Sequence, residues 1–415
     1  MSNFLTWFLK HENTIVAAIV TDGYNRVADV RIANTHWLPF LHIDTGKSQK
    51  EELIQFISDR GVPAKRLRLR EELREVGCSS PFELMIRNYG LSLVDHYWIC
   101  PTDKNITWEE INLYTNNFRS SINLDTFKET GKGHNFIPSA SLKGDLKKKW
   151  IIAEDGTRYL AKGNYNNTCR QSISEVLATE IHKRQGKFEY TPYSFSTLYC
   201  DKQKITGCIC PNFTNEYTEF VPAIDIVCSQ KKDNSISNIQ HYINVCEELG
   251  INRNYMYNWI SYCILTNFVI TNVDWHLNNF GIIIDSKTKR AIKPAPIFDS
   301  GNSMFYRHTG SDIRTENGLL NIEVTSWTHF EVELLKYVTN SSIVDIELLP
   351  TEDEVYELLK VDKYVSESDN ERLLKAYRNK IKFLKEFQSG TKLYDYKYLK
   401  SKGIKLKRKN KYTDS

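Results

Sequence analysis

Short bursts of alternating apolar and polar residues open the chain. Thr14-Ile15-Val16-Ala17 and Val27-Ala28-Asp29-Val30-Arg31-Ile32 carry the two-residue period of half-buried strands. Ser48 to Arg60 reads as a helix: Ser48 and Glu51 have capping-box spacing, and Gly61 with Pro63 closes it. A second helix is predicted from Ser80, with Pro81 at its first position and Glu83 at its third, ending near Asn88-Tyr89-Gly90. This amino-terminal third reads as an accessory α/β unit. From about residue 137 the texture changes. Trp150-Ile151-Ile152-Ala153 and Arg158-Tyr159-Leu160-Ala161-Lys162 predict two strands joined by a turn at Asp155-Gly156. A helix is predicted over Ser172 to Lys183, stopped by Gly186, and then strands over Tyr193 to Tyr199 and Ile205 to Cys210. Beyond about 220 the period becomes helical, over 238–249, 253–270, 328–338, 351–360 and 368–387. The last of these puts Leu373, Leu374, Tyr377, Ile381 and Leu384 on one face. Segment 305–320, with Gly310, Gly318 and many polar residues, predicts a loop facing substrate.

At 415 residues the chain can bury a large core and divide into two or three lobes. Apolar content of 41% and charged content of 26% are ordinary for a globular protein. A net charge of +4 is small for this length and does not by itself point to nucleic acid or membrane. No stretch reaches the ~20 apolar residues of a bilayer span. The first residues lack the basic start and small-residue cleavage site of a secretory signal, so a cytoplasmic location is expected. The nine cysteines form no spaced framework and read as reduced thiols. Cys208-Ile209-Cys210 reads as a strand with two small apolar side chains on one face rather than as half of a zinc site. The tail from Lys397 to Lys411 carries eight basic residues. It reads as a solvated extension, with contact to nucleic acid as the less frequent alternative.

The candidate chemistry lies in Asn272-Val273-Asp274-Trp275-His276-Leu277-Asn278-Asn279, followed by Phe298-Asp299-Ser300-Gly301. Asp274 and Asn279 stand in D-x-x-x-x-N spacing, and Asp299 opens an Asp-x-Gly turn. Phosphoryl transfer needs one carboxylate to orient or deprotonate the accepting hydroxyl. It also needs an amide and a second carboxylate to hold the Mg²⁺ that neutralises a triphosphate. The competing reading makes Asn272-Val273-Asp274 an Asx turn and Asp299 a cap for the turn around Ser300. The context favours catalysis. An apolar helix precedes the first loop, the strand-like Phe280 to Ile284 follows it, and Ala295-Pro296-Ile297-Phe298 leads to Asp299. His276 either orients the loop or is a satisfied structural histidine.

Upstream, Ser141-x-x-Gly144-x-x-x-Lys148 stands where a phosphate-covering loop belongs, although its lysines also fit a solvated basic turn. Lys162, at a strand end, can reach α- and β-phosphates if a carboxylate on the next helix holds it. Glu175 is the first candidate partner and Glu180 the second. Ser172 and Glu175 also fit a purely local capping box.

The set Ser141-x-x-Gly144, Lys162, Asn272-x-Asp274-x-His276-x-x-Asn279 and Phe298-Asp299 resembles the HipA-like serine/threonine kinases over about 137–390. That resemblance implies an α+β, bilobal protein-kinase-like fold related to phosphatidylinositol kinases. The expected divisions are an accessory amino-terminal subdomain at 1–130 and a nucleotide-clamping lobe at 131–220. A mostly helical catalytic lobe follows at 221–390, with a basic extension at 391–415. It implies ATP and Mg²⁺ as cofactors, a protein serine or threonine as acceptor, Asp274 as the catalytic residue, Asn279 and Asp299 as metal ligands, and Lys162 on the phosphates. Ser141 matches the serine whose autophosphorylation ejects the phosphate loop in that family. The adenine-contacting hinge falls near Cys210 to Phe213. A DNA-binding antitoxin is the partner such proteins take. The loop after Gly144 departs from the family in its lysine content. The alternatives are a non-catalytic nucleotide- or partner-binding module on the same fold, and transfer to a lipid or small-molecule hydroxyl.

Overall fold

The computed structural model describes residues 5–22, 26–43, 45–63, 69–126, 133–142, 146–165, 168–200, 202–307 and 314–404. The strands are β1 (Leu5–His11), β2 (Thr14–Thr21), β3 (Val27–Ile32), β4 (Tyr97–Pro101), β5 (Lys148–Ile152), β6 (Arg158–Lys162), β7 (Ser194–Cys200), β8 (Gln203–Pro211), β9 (Thr218–Pro222), β10 (Gly281–Asp285) and β11 (Ala291–Pro294). The helices are α1 (Gln49–Ser58), α2 (Leu69–Glu75), α3 (Pro81–Arg87), α4 (Trp108–Ile111), α5 (Arg170–Gln185), α6 (Ala223–Cys228), α7 (Asn238–Glu248), α8 (Arg253–Ile270), α9 (Glu331–Leu334), α10 (Glu352–Leu359), α11 (Glu367–Gln388) and α12 (Tyr396–Ser401). They form two compact units, one of 1–164, 193–234 and 282–293, the other of 165–192, 235–281 and 294–415. Among the described residues no helix is long and apolar enough to cross a membrane.

The first unit holds two four-stranded sheets, ordered β3-β2-β1-β4 and β5-β6-β8-β7, with antiparallel pairings in both. Strand alternation explains how β4 is buried on both faces. Tyr97 and Ile99 join a core with Leu9, Val16, Ile19, Leu53 and Ile57, which seats α1 on the first sheet. Trp98 and Cys100 point the other way, into a core with Trp108, Phe118 and Trp150. The local signals at α1 and α3 act as the spacing suggests. Ser48 and Glu51 form a reciprocal capping box. Ser80 accepts from the Glu83 backbone while Pro81 begins the helix. At the β5–β6 hairpin, Gly156 takes φ +85, a left-handed conformation that a side chain would strain. Strands β9, β10 and β11 make a third sheet. The β10–β11 turn is therefore part of the first unit rather than a spacer within the helical region.

The second unit is built on α8. Every residue from Trp259 to Ile270 is buried, so the helix is covered on all sides, by α5, α7, α9 and α11 among others. One charged pair sits in this interior. Lys380 bonds Glu331, both essentially buried, and the Lys380 ammonium lies 4.0 Å from the Phe268 ring centre. Neither charge could be buried at tolerable cost without the other. The carboxy-terminal stretch forms α12 with Asp395 as its cap. The tail beyond 404 lies outside the described residues, as do 308–313 of the predicted substrate-facing loop.

Candidate active site

The helical unit brings the two acidic loops together at the end of α8. The helix stops at Thr271, whose φ of 54 and ψ of 56 are left-handed. Asn272 then turns the chain: its Oδ1 accepts from the Asp274 backbone at 3.0 Å and its Nδ2 donates to Asn267 at 2.9 Å. The Asx turn of the competing reading is present, and it positions Asp274. The backbone amide of His276 donates to the Asp274 carbonyl at 2.8 Å. The Asn279 amide donates to the same carbonyl at 2.9 Å. Committing Nδ2 in this way makes Oδ1 the acceptor end of Asn279. The His276 ring lies 3.8 Å from the Asp274 carboxylate and accepts from the Asn278 amide at 3.2 Å. Both contacts suit an orienting histidine.

Both carboxylate oxygens of Asp274 are gripped. Thr325 donates its hydroxyl to Oδ1 at 2.9 Å, and Asn302 donates its amide to Oδ2 at 2.6 Å. Asn302 belongs to the second acidic loop, and its carbonyl accepts from the Val273 amide at 3.2 Å. The loops at 272–279 and 299–302 are therefore bonded side by side. Neither Asn302 nor Thr325 carried a motif. In retrospect Asn302, one residue beyond the Asp-x-Gly turn, had a readable polar signal, while Thr325 had none.

The first turns of α5 hold the second loop. Glu175 is 1% exposed and accepts from the Ser300 amide at 2.9 Å. Gln171 donates to Asn302 at 2.8 Å, Ser174 to the Ser303 carbonyl at 3.3 Å and Arg170 to the Phe305 carbonyl at 3.2 Å. A Cβ on Gly301 would stand 3.3 Å from Glu175 Oε1, so any larger residue would make the carboxylate shift by a few tenths of an ångström. The capping-box explanation of Glu175 is corrected. The helix begins at Arg170 with Cys169 as its cap, two residues before Ser172, and the Cys169 amide is met by Asp362 at 2.9 Å. Glu180 pairs with Lys183 and Arg184 on the same helix, at 4.0 and 3.8 Å. Asp299, Met304 and Phe305 have φ of +61, +49 and +56. Such conformations cost non-glycine residues roughly 1–3 kcal/mol each and persist where the surroundings over-determine them, commonly at functional sites.

In the first unit, Lys148 and Lys162 are direct cross-strand partners on β5 and β6. They therefore share one face of the sheet. Lys162 is 5% exposed, and its ammonium lies 5.1 Å from the Tyr193 ring centre. Ser141 ends a 3-10 turn over Pro138–Ser141 and donates to the Leu91 carbonyl at 2.6 Å. Of the two readings of the lysine-rich segment, the solvated basic turn fails at Lys147 and Lys149. Lys147 and Lys149 are buried, the first paired with Asp125 and the second donating to Ser121 at 3.1 Å. Gly144 itself lies outside the described residues. Cys210 is buried on β8 opposite Leu160, beside Cys208 and Tyr193. The Phe213 ring packs edge-on against Phe220, with centres 5.6 Å apart.

No family model matches this chain, and no curated protein does. Solved structures do. The HipA toxin of Shewanella oneidensis MR-1, from a complex of HipA, HipB and operator DNA, aligns over 93% of this chain and 98% of its own, with a TM-score of 0.51 and 10% identity. A proinflammatory kinase of Helicobacter pylori, CtkA, aligns over 58% of this chain and 94% of its own, with a TM-score of 0.44 and 15% identity. The chain has the mixed α/β fold of HipA over nearly its whole length.

Proposed function

We propose that this chain is an ATP- and magnesium-dependent kinase of the HipA kind that phosphorylates a serine or threonine of a protein. The observation that carries this reading is the bonding of Asp274 to both loops at once. Its carbonyl is tied to Asn279 and its carboxylate to Asn302 and Thr325. A carboxylate offers about four lone-pair positions, and two are used. Asp274 therefore keeps capacity to accept the proton of an incoming hydroxyl, with its plane fixed by its two donors. Fixing a base this way removes orientational freedom that would otherwise be lost during reaction.

Asn279 Oδ1 and the Asp299 carboxylate are hard oxygen donors of the type magnesium prefers, and they would hold the ion that neutralises triphosphate charge. Glu175 would keep Asp299 in place through the Ser300 amide. Lys148 and Lys162 would meet phosphate oxygens. Cys210 to Phe213 would border the adenine. In this reading residues 131–220 form the clamping lobe of a bilobal kinase, 221–390 the catalytic lobe, 1–130 an accessory subdomain and 391–415 an extension. Phosphorylation of Ser141 would compete with its bond to Leu91 and act as an off-switch. A DNA-binding antitoxin is the proposed partner, by analogy with HipA in its complex with HipB and operator DNA.

A second reading, binding of nucleotide or partner without turnover, is favoured by the diversion of Lys147 and Lys149 to Asp125 and Ser121. Incubation with ATP labelled in the γ-phosphate separates the two. Transfer to Ser141 or to added protein supports the kinase, and tight ATP binding without transfer supports the module.

A further inference from the structure

The first unit contains a buried group of metal-type donors that neither the kinase reading nor the sequence motifs use. His11 at the end of β1, His96 just before β4 and Glu219 on β9 present ligand atoms that all lie within 4.8 Å of one another. They are 2%, 0% and 3% exposed. His11 Nε2 contacts Glu219 Oε1, and His96 Nδ1 lies 3.6 Å from the same oxygen. Glu12 Oε1 stands 3.1 Å from His96 Nδ1. Tetrahedral coordination with bonds of 2.0–2.2 Å separates donors by about 3.3 Å; the two His96 distances lie near that value, while His11 Nε2 and Glu219 Oε1 stand closer, in hydrogen-bond contact, and have to part for an ion to enter.

The surroundings hold the two rings in ligand orientation. His11 is stacked on Trp37 at 4.6 Å and 17°, with Tyr97 edge-on at 4.8 Å. His96 Nε2 lies 3.1 Å from the Asn215 carbonyl. A carbonyl only accepts, so Nε2 carries the hydrogen, and Nδ1 is the ring atom that faces the carboxylates of Glu12 and Glu219. Two carboxylate oxygens facing Nδ1 call for a positive charge there, which a proton on Nδ1 or a metal ion supplies. Donation of the remote ring N–H to a backbone carbonyl is the usual outer support of a metal-bound histidine. The second Glu12 oxygen is taken by Lys287, which sets Glu12 as a weaker, fourth donor.

We propose that His11, His96 and Glu219, with Glu12 beside them, bind one zinc-type divalent transition-metal ion that staples the first sheet to β9. Neighbouring backbone bonds bring the same segments together, Phe220 to Val94 at 2.8 Å and Glu12 to His96 at 3.1 Å. Imidazole and carboxylate donors suit zinc and its first-row neighbours. The inference is independent of the kinase reading, whose metal ligands Asn279 and Asp299 stand on other residues.

The test is metal analysis of the full chain purified without chelator. The proposal expects about one equivalent of zinc in wild type and in Asp299→Ala, and little in Glu219→Gln. Co²⁺ added to the chelated wild-type protein should give the intense visible absorption of a tetrahedral site. Chelation should lower the wild-type Tm by about 5 °C or more, and that of Glu219→Gln far less. Should Glu219→Gln fail to fold, the wild-type stoichiometry and the Co²⁺ spectrum still decide. Folded wild-type protein that holds no metal and shows no Co²⁺ spectrum would overturn the proposal, leaving a proton on His96 Nδ1 as the occupant.

Discussion

The acidic loops of the second unit and the basic stretch of the first present opposite cases. At 272–302 short polar side chains sit on tight turns and bond close by: Asn279 to Asp274 within the first loop, Asn302 to Asp274 across the two loops, and the Ser300 amide to Glu175 on α5. At 147–149 long side chains sit at the start of β5, and the two on either side of Lys148 turn to Asp125 and Ser121. A short carboxylate or amide acts where its backbone places it. A lysine acts wherever its four-carbon stem finds an acceptor. Sequence spacing therefore says more about where a short side chain acts than about where a lysine does.

That contrast can be attacked from its strongest side downward. Asp299→Ala should lower phosphoryl transfer by at least about 10²-fold with the fold intact, read as the initial rate of transfer from ATP. Lys162→Met should weaken ATP binding by roughly 10- to 100-fold, the range for a lost hydrogen bond to a charged group. Lys149→Met should leave ATP affinity unchanged, and calorimetric titration of both variants checks the pair. Equal losses would erase the distinction drawn between Lys162 on β6 and Lys149 on β5. Thr325→Val should slow transfer by about 10-fold without altering ATP affinity, since it removes only one donor to Asp274.

A separate effect belongs to the scaffold. Burial holds the His182 imidazole down at about 3, against 6.5 in an open chain, with the Tyr262 hydroxyl 2.9 Å from its Nδ1. The unfolded chain therefore takes up a proton first as pH drops below about 6.5. Stability present above that pH is lost progressively as pH falls toward 3, by up to about 4 kcal/mol from this group. Denaturant midpoints of wild type and His182→Asn between pH 7 and 4 should converge as pH falls. Parallel curves would show that His182 is not the group responsible.

Much of the architecture could be read from periodicity and caps. Ser48 with Glu51, Ser80 with Pro81 and the run over Trp259–Ile270 all lie in elements close to those expected, because each signal is local. Strand β4 and helices α2 and α4 carried weaker patterns. The buried run of β4 looks continuous rather than alternating, since its two faces serve two cores. Within the acidic loops, Asp274 and Asn279 were visible because they share one turn. Thr325 was not, since its bond to Asp274 spans 51 positions. The His11, His96 and Glu219 cluster was hidden for the same reason. Ligands drawn from three separate strand ends leave no spacing to recognise.

The most direct measurement is transfer of the ATP γ-phosphate by Asp274→Asn beside wild type, at saturating ATP and magnesium, with both proteins shown to be folded. The account predicts labelled protein for wild type and a rate lowered by about 10³-fold for the variant, with ATP affinity retained. Labelling by Asp274→Asn at the wild-type rate would contradict it.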